Sequence, residues 1–105
     1  MGINMQKMMK QVQKMQQDVA RVQDELANRT VEGTAGGGAV KAVFTCTKEP
    51  VGFKLDPSAV DPEDVEMLEE MLLAATREAL KAADEVTQKE MSKVTGGVGI
   101  PGMGF

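Results

Sequence analysis

Histidine, tryptophan and tyrosine are absent from the 105-residue chain, and cysteine occurs once, at Cys46. Without histidine there is no Ser-His-Asp or Cys-His arrangement and no imidazole metal ligand, which removes the commonest hydrolytic and zinc chemistries. A single cysteine excludes an intrachain disulfide. Cys46 falls on the apolar side of an alternating segment, where a small core residue is the natural reading rather than a nucleophile. Aromatic bulk is limited to Phe44, Phe53 and Phe105, so a core has to be built from Met, Val, Leu and Ala, and nine methionines make it adaptable. Apolar runs never exceed a few residues, so neither a membrane span nor a signal peptide is expected. Gln6 stands where a myristoylation signal needs Ser or Thr. These absences predict a cytoplasmic, non-enzymatic protein with no cofactor, metal, small-molecule substrate or membrane partner.

Charge is present but unevenly placed. The formal net charge is -4, which argues mildly against a generic polyanion binder. The total hides a split, however. Residues 1–17 carry Lys7, Lys10 and Lys14 and no acid, whereas residues 56–70 carry seven acids and no base.

Periodicity then sets the elements. Met5, Met8, Val12, Met15, Val19, Val22 and Leu26 alternate in steps of three and four without Gly or Pro, a heptad seam that predicts a helix over 4–28 with Asn4 as N-cap. Residues 30–35 lean toward β structure although they contain Gly33. Gly36-Gly37-Gly38 supplies positive φ for a reversal. Over 39–47, Val40, Ala42, Phe44 and Cys46 face one way and Lys41, Thr45 and Thr47 the other, with Val43 breaking the pattern. Lys48-Glu49-Pro50 reads as a turn, and Val51, Phe53 and Leu55 give a third strand with Lys54 outward. Asp61-Pro62 opens a second helix, with Asp61 as N-cap and Glu63 and Asp64 in its first turn. Its seam is Val65, Leu68, Leu72, Ala75, Ala79, Ala82 and Val86, after which Met91 and Val94 mark a shifted face. Thr95-Gly96-Gly97 stops it. The reading is one α+β domain over 1–95, helix–three-stranded antiparallel sheet–helix, followed by a flexible Gly/Pro-rich tail over 96–105.

Length argues for self-association. The helices span roughly 37 and 50 Å at about 1.5 Å per residue, whereas the strands span roughly 17–30 Å and the sheet is roughly 10–15 Å wide. The seams outrun the surface one copy offers, and the sheet keeps open edges. A symmetric homodimer with projecting helical arms answers both.

Few groupings invite chemistry. Gly97-Val98-Gly99-Ile100-Pro101-Gly102 matches the dinucleotide pattern literally, but no strand precedes it and no helix follows it. The acids Asp61, Glu63, Asp64, Glu66, Glu69 and Glu70 lack the alternation and glycine of a calcium loop and read as a capped, solvated helix start. Met5, Met8, Met9 and Met15 read as seam packing before they read as a promiscuous apolar surface. With the seam at heptad positions a and d, Lys7, Lys14 and Arg21 fall at c and Lys10 at f, one stripe opposite the seam. Pattern alone fits a solvated helix face; the functional alternative is a rail for nucleic-acid phosphates. Lys89 and Lys93 form an i, i+4 pair near the end of the second helix, with acids nearby.

Together, MQKMMKQVQKMQQDVARVQDEL, VEGTAGGGAVKA, LDPSAVDPEDVEMLEEMLLAATREAL and the closing TGGVGIPGMGF resemble the YbaB/EbfC family of bacterial nucleoid-associated proteins over nearly the whole chain. The chain departs from the family at Thr47-Lys48-Glu49-Pro50, where an Asn-Gly-type hairpin is common, and at Arg77, where an Asn is common. The resemblance implies a tweezer-shaped homodimer in the nucleoid that binds double-stranded DNA with little sequence preference and influences gene expression. On that reading Lys7, Lys10, Lys14 and Arg21, with Lys89 and Lys93, contact DNA. A protein-interaction adaptor that grips a partner with its helical arms is the alternative, and it fits the Met-rich seam and the net acidity.

Overall fold

The two-residue alternation of the middle segment has its cause in a helix that covers one side of it. The structure, a computed structural model, describes residues 5–94. In chain order it consists of α1 (Met5–Ala27), β1 (Thr30–Ala35), β2 (Val40–Thr45), β3 (Pro50–Leu55) and α2 (Val65–Val94), with short 3-10 turns at Gly36–Gly38 and Pro57–Ala59. The strands form one antiparallel sheet in the order β1-β2-β3. This is the helix–three-strand–helix order read from the sequence, with β2 shorter than 39–47 by a residue or two at each end. Asn4, the stop at Thr95–Gly97 and the tail lie outside the described residues.

α2 crosses one face of the sheet, over β1 and β2. Beneath it Val40, Ala42 and Phe44 are buried against Ala75 and Ala79, with Val31, Leu68, Leu72 and Leu80 packed around them. The helix comes down to backbone distance. Gly33 is buried, and a Cβ placed on it would stand 2.0 Å from the carbonyl oxygen of Ala75 and 2.3 Å from the amide nitrogen of Ala79. The fully buried row is Ala75, Ala79 and Ala83, so the expected seam needs correction at two places. Ala83 replaces Ala82, which is half-buried, and Val65 is exposed. The i, i+4 row of small side chains is the one that lets a straight helix lie flat on β1, whereas the expected heptad steps suit a supercoil.

β3 has no such cover. Opposed residues share a sheet face, so the pairings Ala42↔Phe53 and Val40↔Leu55 put Phe53 and Leu55 on the helix-bearing side. They remain 49% and 40% exposed because α2 stops short of the third strand. A register shift beside Val43/Phe44 leaves Val51 with no directly opposed residue, and Val51 too is exposed. On the other face Thr34↔Lys41 and Lys41↔Lys54 are in register.

A second, smaller cluster forms where the helices meet. Val22, Leu26 and Cys46 are buried there, with Val31, Val86, Met91 and Val94 against them. The shifted face of α2 after Val86 therefore marks a change of partner, from sheet to α1. Cys46 ties the junction together: its amide donates to the Arg29 carbonyl at 2.9 Å, and its carbonyl accepts the Thr87 hydroxyl at 3.2 Å.

Turn chemistry fits the geometry. Gly36, Gly37 and Gly38 have φ of 63°, 69° and 96°, the left-handed region in which a Cβ is strained. At the other hairpin Lys48 takes φ 70°, held by the Thr45 hydroxyl accepting from the Glu49 amide at 3.0 Å and by a Lys48–Asp84 ion pair at 2.6 Å. Three aspartates order the approach to α2. Asp56 accepts from the amide and hydroxyl of Ser58, both at 2.9 Å, and these bonds hold its carboxyl below its ordinary pKa. Asp61 accepts from the Glu63 amide and Asp64 from the Met67 amide. The N-cap is thus Asp64, and the helix begins at Val65 rather than Pro62. Asp61-Pro62 forms a preceding turn, closed by the Asp64 amide donating to the Asp61 carbonyl at 3.0 Å. Asp64→Ala should lower stability by about 1 kcal/mol in urea unfolding. Asp61→Ala, outside the helix, should cost less.

Candidate nucleic-acid interface

α1 is anchored at one end only. Val22 and Leu26 are its buried residues; residues 5–17 are all exposed. The molecule measures 76 × 24 × 16 Å along its principal axes, and the first turns of α1 form one end of the long axis as an arm. A charged, glutamine-rich helix without Gly or Pro can keep its shape while projecting, because Met, Gln and Lys, which dominate its first turns, are good helix formers.

Two faces of this arm carry the chemistry. At 3.6 residues per turn, Lys7, Lys10, Lys14 and Arg21 fall within an arc of about 60° and along roughly 21 Å of axis. The opposite face carries Met5, Met8, Met9, Val12 and Met15, which are 44–68% exposed. The expectation that these side chains pack in a core is therefore not met within one chain. Among the described residues, nothing buries the first three turns of the helix.

The six basic residues read from the sequence differ in their surroundings. Lys10 and Lys14 have no acid within ion-pair distance among the described residues, and neither does Lys89. Arg21 lies between Asp18 at 3.6 Å and Glu25 at 3.9 Å. Lys93 pairs with Glu90 at 3.3 Å, and Glu90 also receives Arg29 at 3.7 Å from the start of β1. Arg21 and Lys93 are thus partly neutralised by their own i, i+3 and i, i+4 neighbours, a pairing legible in the spacing. These are exposed pairs, each weak and screened by salt, so they reduce local potential without fixing geometry. Lys7, Lys10 and Lys14 lie together on the arm, whereas Lys89 and Lys93 sit on the last turns of α2, beyond the sheet.

The acids of residues 61–70 are exposed, and Asp61 and Asp64 spend oxygens on backbone amides. Among the described residues no group of acids or cysteine has the spacing to hold a metal ion. No described helix is long and apolar enough to cross a membrane. One shallow groove runs along α1 between Val12, Met15, Val19 and Gln23, and another concavity lies between the two helices and the β2–β3 turn, lined by Leu26, Cys46, Lys48, Asp84 and Thr87.

Comparison with known proteins gives the family. Residues 1–98 match the YbaB/EbfC DNA-binding family. A nucleoid-associated protein of Pelotomaculum thermopropionicum is 60% identical over 103 residues, covering 98% of each chain. One from Desulforamulus reducens is 57% identical over 103 residues, again covering 98% of each. Among solved structures, HP0035 from Helicobacter pylori superposes with a TM-score of 0.76 at 19% identity, over 90% of this chain and 99% of that one, which supports the fold. Matched by the family over residues 1–98 and by relatives that align end to end, the chain belongs to the YbaB/EbfC DNA-binding family.

Proposed function

We propose that the protein is a non-catalytic, nucleoid-associated homodimer that holds double-stranded DNA by its backbone. The α1 arms lay Lys7, Lys10 and Lys14 on phosphates, with lesser contributions from Arg21, Lys89 and Lys93. The observation that carries this reading is the projecting helix whose outer face is basic and, before Asp18, free of acid. Lysine is a flexible point charge rather than a planar fork, which suits phosphates better than the bidentate reading of base edges. Contacts of this kind position a protein on a duplex without reading it, so sequence preference is weak. The cellular role is organisation of the nucleoid in the cytoplasm, with effects on gene expression that follow from occupancy.

The homodimer is supported by apolar surface left open in one copy. β3 is an edge strand whose outer backbone groups are unpaired, and Phe53 and Leu55 lie uncovered beside that edge. Pairing of β3 with its symmetry mate satisfies the edge and brings a second helix-covered sheet alongside these side chains.

The test is a titration of a plain duplex by fluorescence anisotropy across salt, with light scattering on the same samples. A dimer making about six phosphate contacts should give a log–log slope near −5. A monomer that leaves duplex unbound at micromolar concentration and low salt would reject the proposal. The methionine face of the same arm favours the second reading, an adaptor gripping a protein, and that same result would move it to first place.

A further inference from the structure

The helix-free face of the sheet carries a pair of charges that the fold does not balance. Lys41 on β2 and Lys54 on β3 are directly opposed in the ladder. Side chains opposed in this way lie about 5 Å apart at Cβ, and like charges there destabilise a sheet. Among the described residues neither ammonium group has an acid within ion-pair distance. Among the described residues Glu32 is the one strand acid on this face; it is opposed to Val43, diagonal to Lys41, and no ion pair joins the two. Thr34 lies in register with Lys41 on the other side, so Thr34, Lys41 and Lys54 form a row of hydrogen-bond donors across all three strands.

Lysine on an edge strand is a common guard against aggregation, and that accounts for Lys54. It does not account for Lys41, which sits on the central strand and is half-buried. A chain of net charge -4 that places two lysines opposite one another, on its one broad face free of helix, has built a local site for an anion. We propose that this face is a second nucleic-acid contact surface, in which Lys41 and Lys54, with Thr34 beside them, hold backbone phosphates of the duplex gripped by the arms. The inference rests on the DNA-binding reading. It adds a floor to the arms: when β3 pairs with its mate, Lys54 and Lys41 of both copies share one continuous face.

The experiment compares the full-length wild type, Lys41→Ala/Lys54→Ala and Lys54→Glu in duplex titrations across salt, together with thermal melts without DNA. Lys54→Glu turns the repulsive pair into an attractive one, so the free protein should melt about 2–5 °C higher while its affinity for duplex falls. The double alanine variant should bind about tenfold or more weakly at 0.1 M salt and lose about 0.9 from the magnitude of the log–log slope for each contact removed. Stability rising while binding falls separates this role from a structural one. Both variants binding with wild-type affinity and slope would overturn the sheet-face proposal and leave the arm reading standing. A wild type that binds no duplex would overturn both.

Discussion

Gly33→Ala should lower the melting temperature by about 12–24 °C. The added Cβ would stand 2.0 Å from the Ala75 carbonyl oxygen, 2.3 Å from the Ala79 amide nitrogen and 3.0 Å from the Ala79 Cα. All three are backbone atoms of α2, so no rotamer change relieves the contact and the helix has to lift from β1. Lifting it opens the space under Ala75 and Ala79 and loosens Val40, Ala42 and Phe44 together. Overpacking of a tight core costs about 1–3 kcal/mol, and a rigid obstacle belongs at or above the top of that range. At about 4–8 °C per kcal/mol for a domain of this size, 3 kcal/mol gives the predicted shift. Gly33→Val should leave no cooperative unfolding transition by circular dichroism. Gly52 is the control: a Cβ there meets nothing within 4 Å, and Gly52→Ala should change stability by no more than about 0.5 kcal/mol. Equal effects at the two glycines would mean that α2 does not press on β1 as described.

The contrast between these glycines shows what the sequence can and cannot carry. Gly36, Gly37 and Gly38 are readable as a reversal because the requirement is local: consecutive glycines allow consecutive positive φ. Gly33 answers to Ala75 and Ala79, which are remote along the chain, and its use becomes visible only once α2 is laid on β1. The same division runs through the rest of the fold. The seam of α1 and the alternation of β2 are periodic and were legible. The choice of Asp64 over Asp61 as N-cap was not, because both precede a helical pattern and hydrogen-bond geometry decides between them. Ala82 and Ala83 are adjacent, chemically identical candidates, and the direction of the sheet selects the second. In the candidate interface the stripe of Lys7, Lys10, Lys14 and Arg21 follows from helical spacing alone. The opposition of Lys41 and Lys54 depends on the register of two strands, one of which carries an irregularity, so no spacing along the chain announces it.

Charge reversal on the arm should abolish duplex binding while leaving the fold in place. Lys7→Glu/Lys10→Glu/Lys14→Glu alters only exposed side chains on a stretch of α1 that contains no buried residue. Glutamate has helix propensity close to that of lysine, and an acid at position 7 lies in the first turn, where the helix dipole favours it. Stability should therefore stay within about 0.5 kcal/mol of wild type, and the helical signal should be unchanged. Binding behaves differently. Replacement by alanine removes about six phosphate contacts from a dimer, which should lower affinity about a thousandfold or more at 0.1 M salt and leave a shallower slope set by the remaining basic groups. Glutamate at the same positions adds repulsion to the loss, so the charge-reversed protein should bind more weakly than the alanine variant at every salt concentration, with the largest gap at low salt where screening is least. The loss should be the same for AT-rich and GC-rich duplexes, because phosphates are common to both. Arg21→Ala, by contrast, removes a group already engaged by Asp18 and Glu25 and should weaken binding by less than any one of the three lysines. A charge-reversed arm that binds duplex as the wild type does would place the DNA on another surface of the protein.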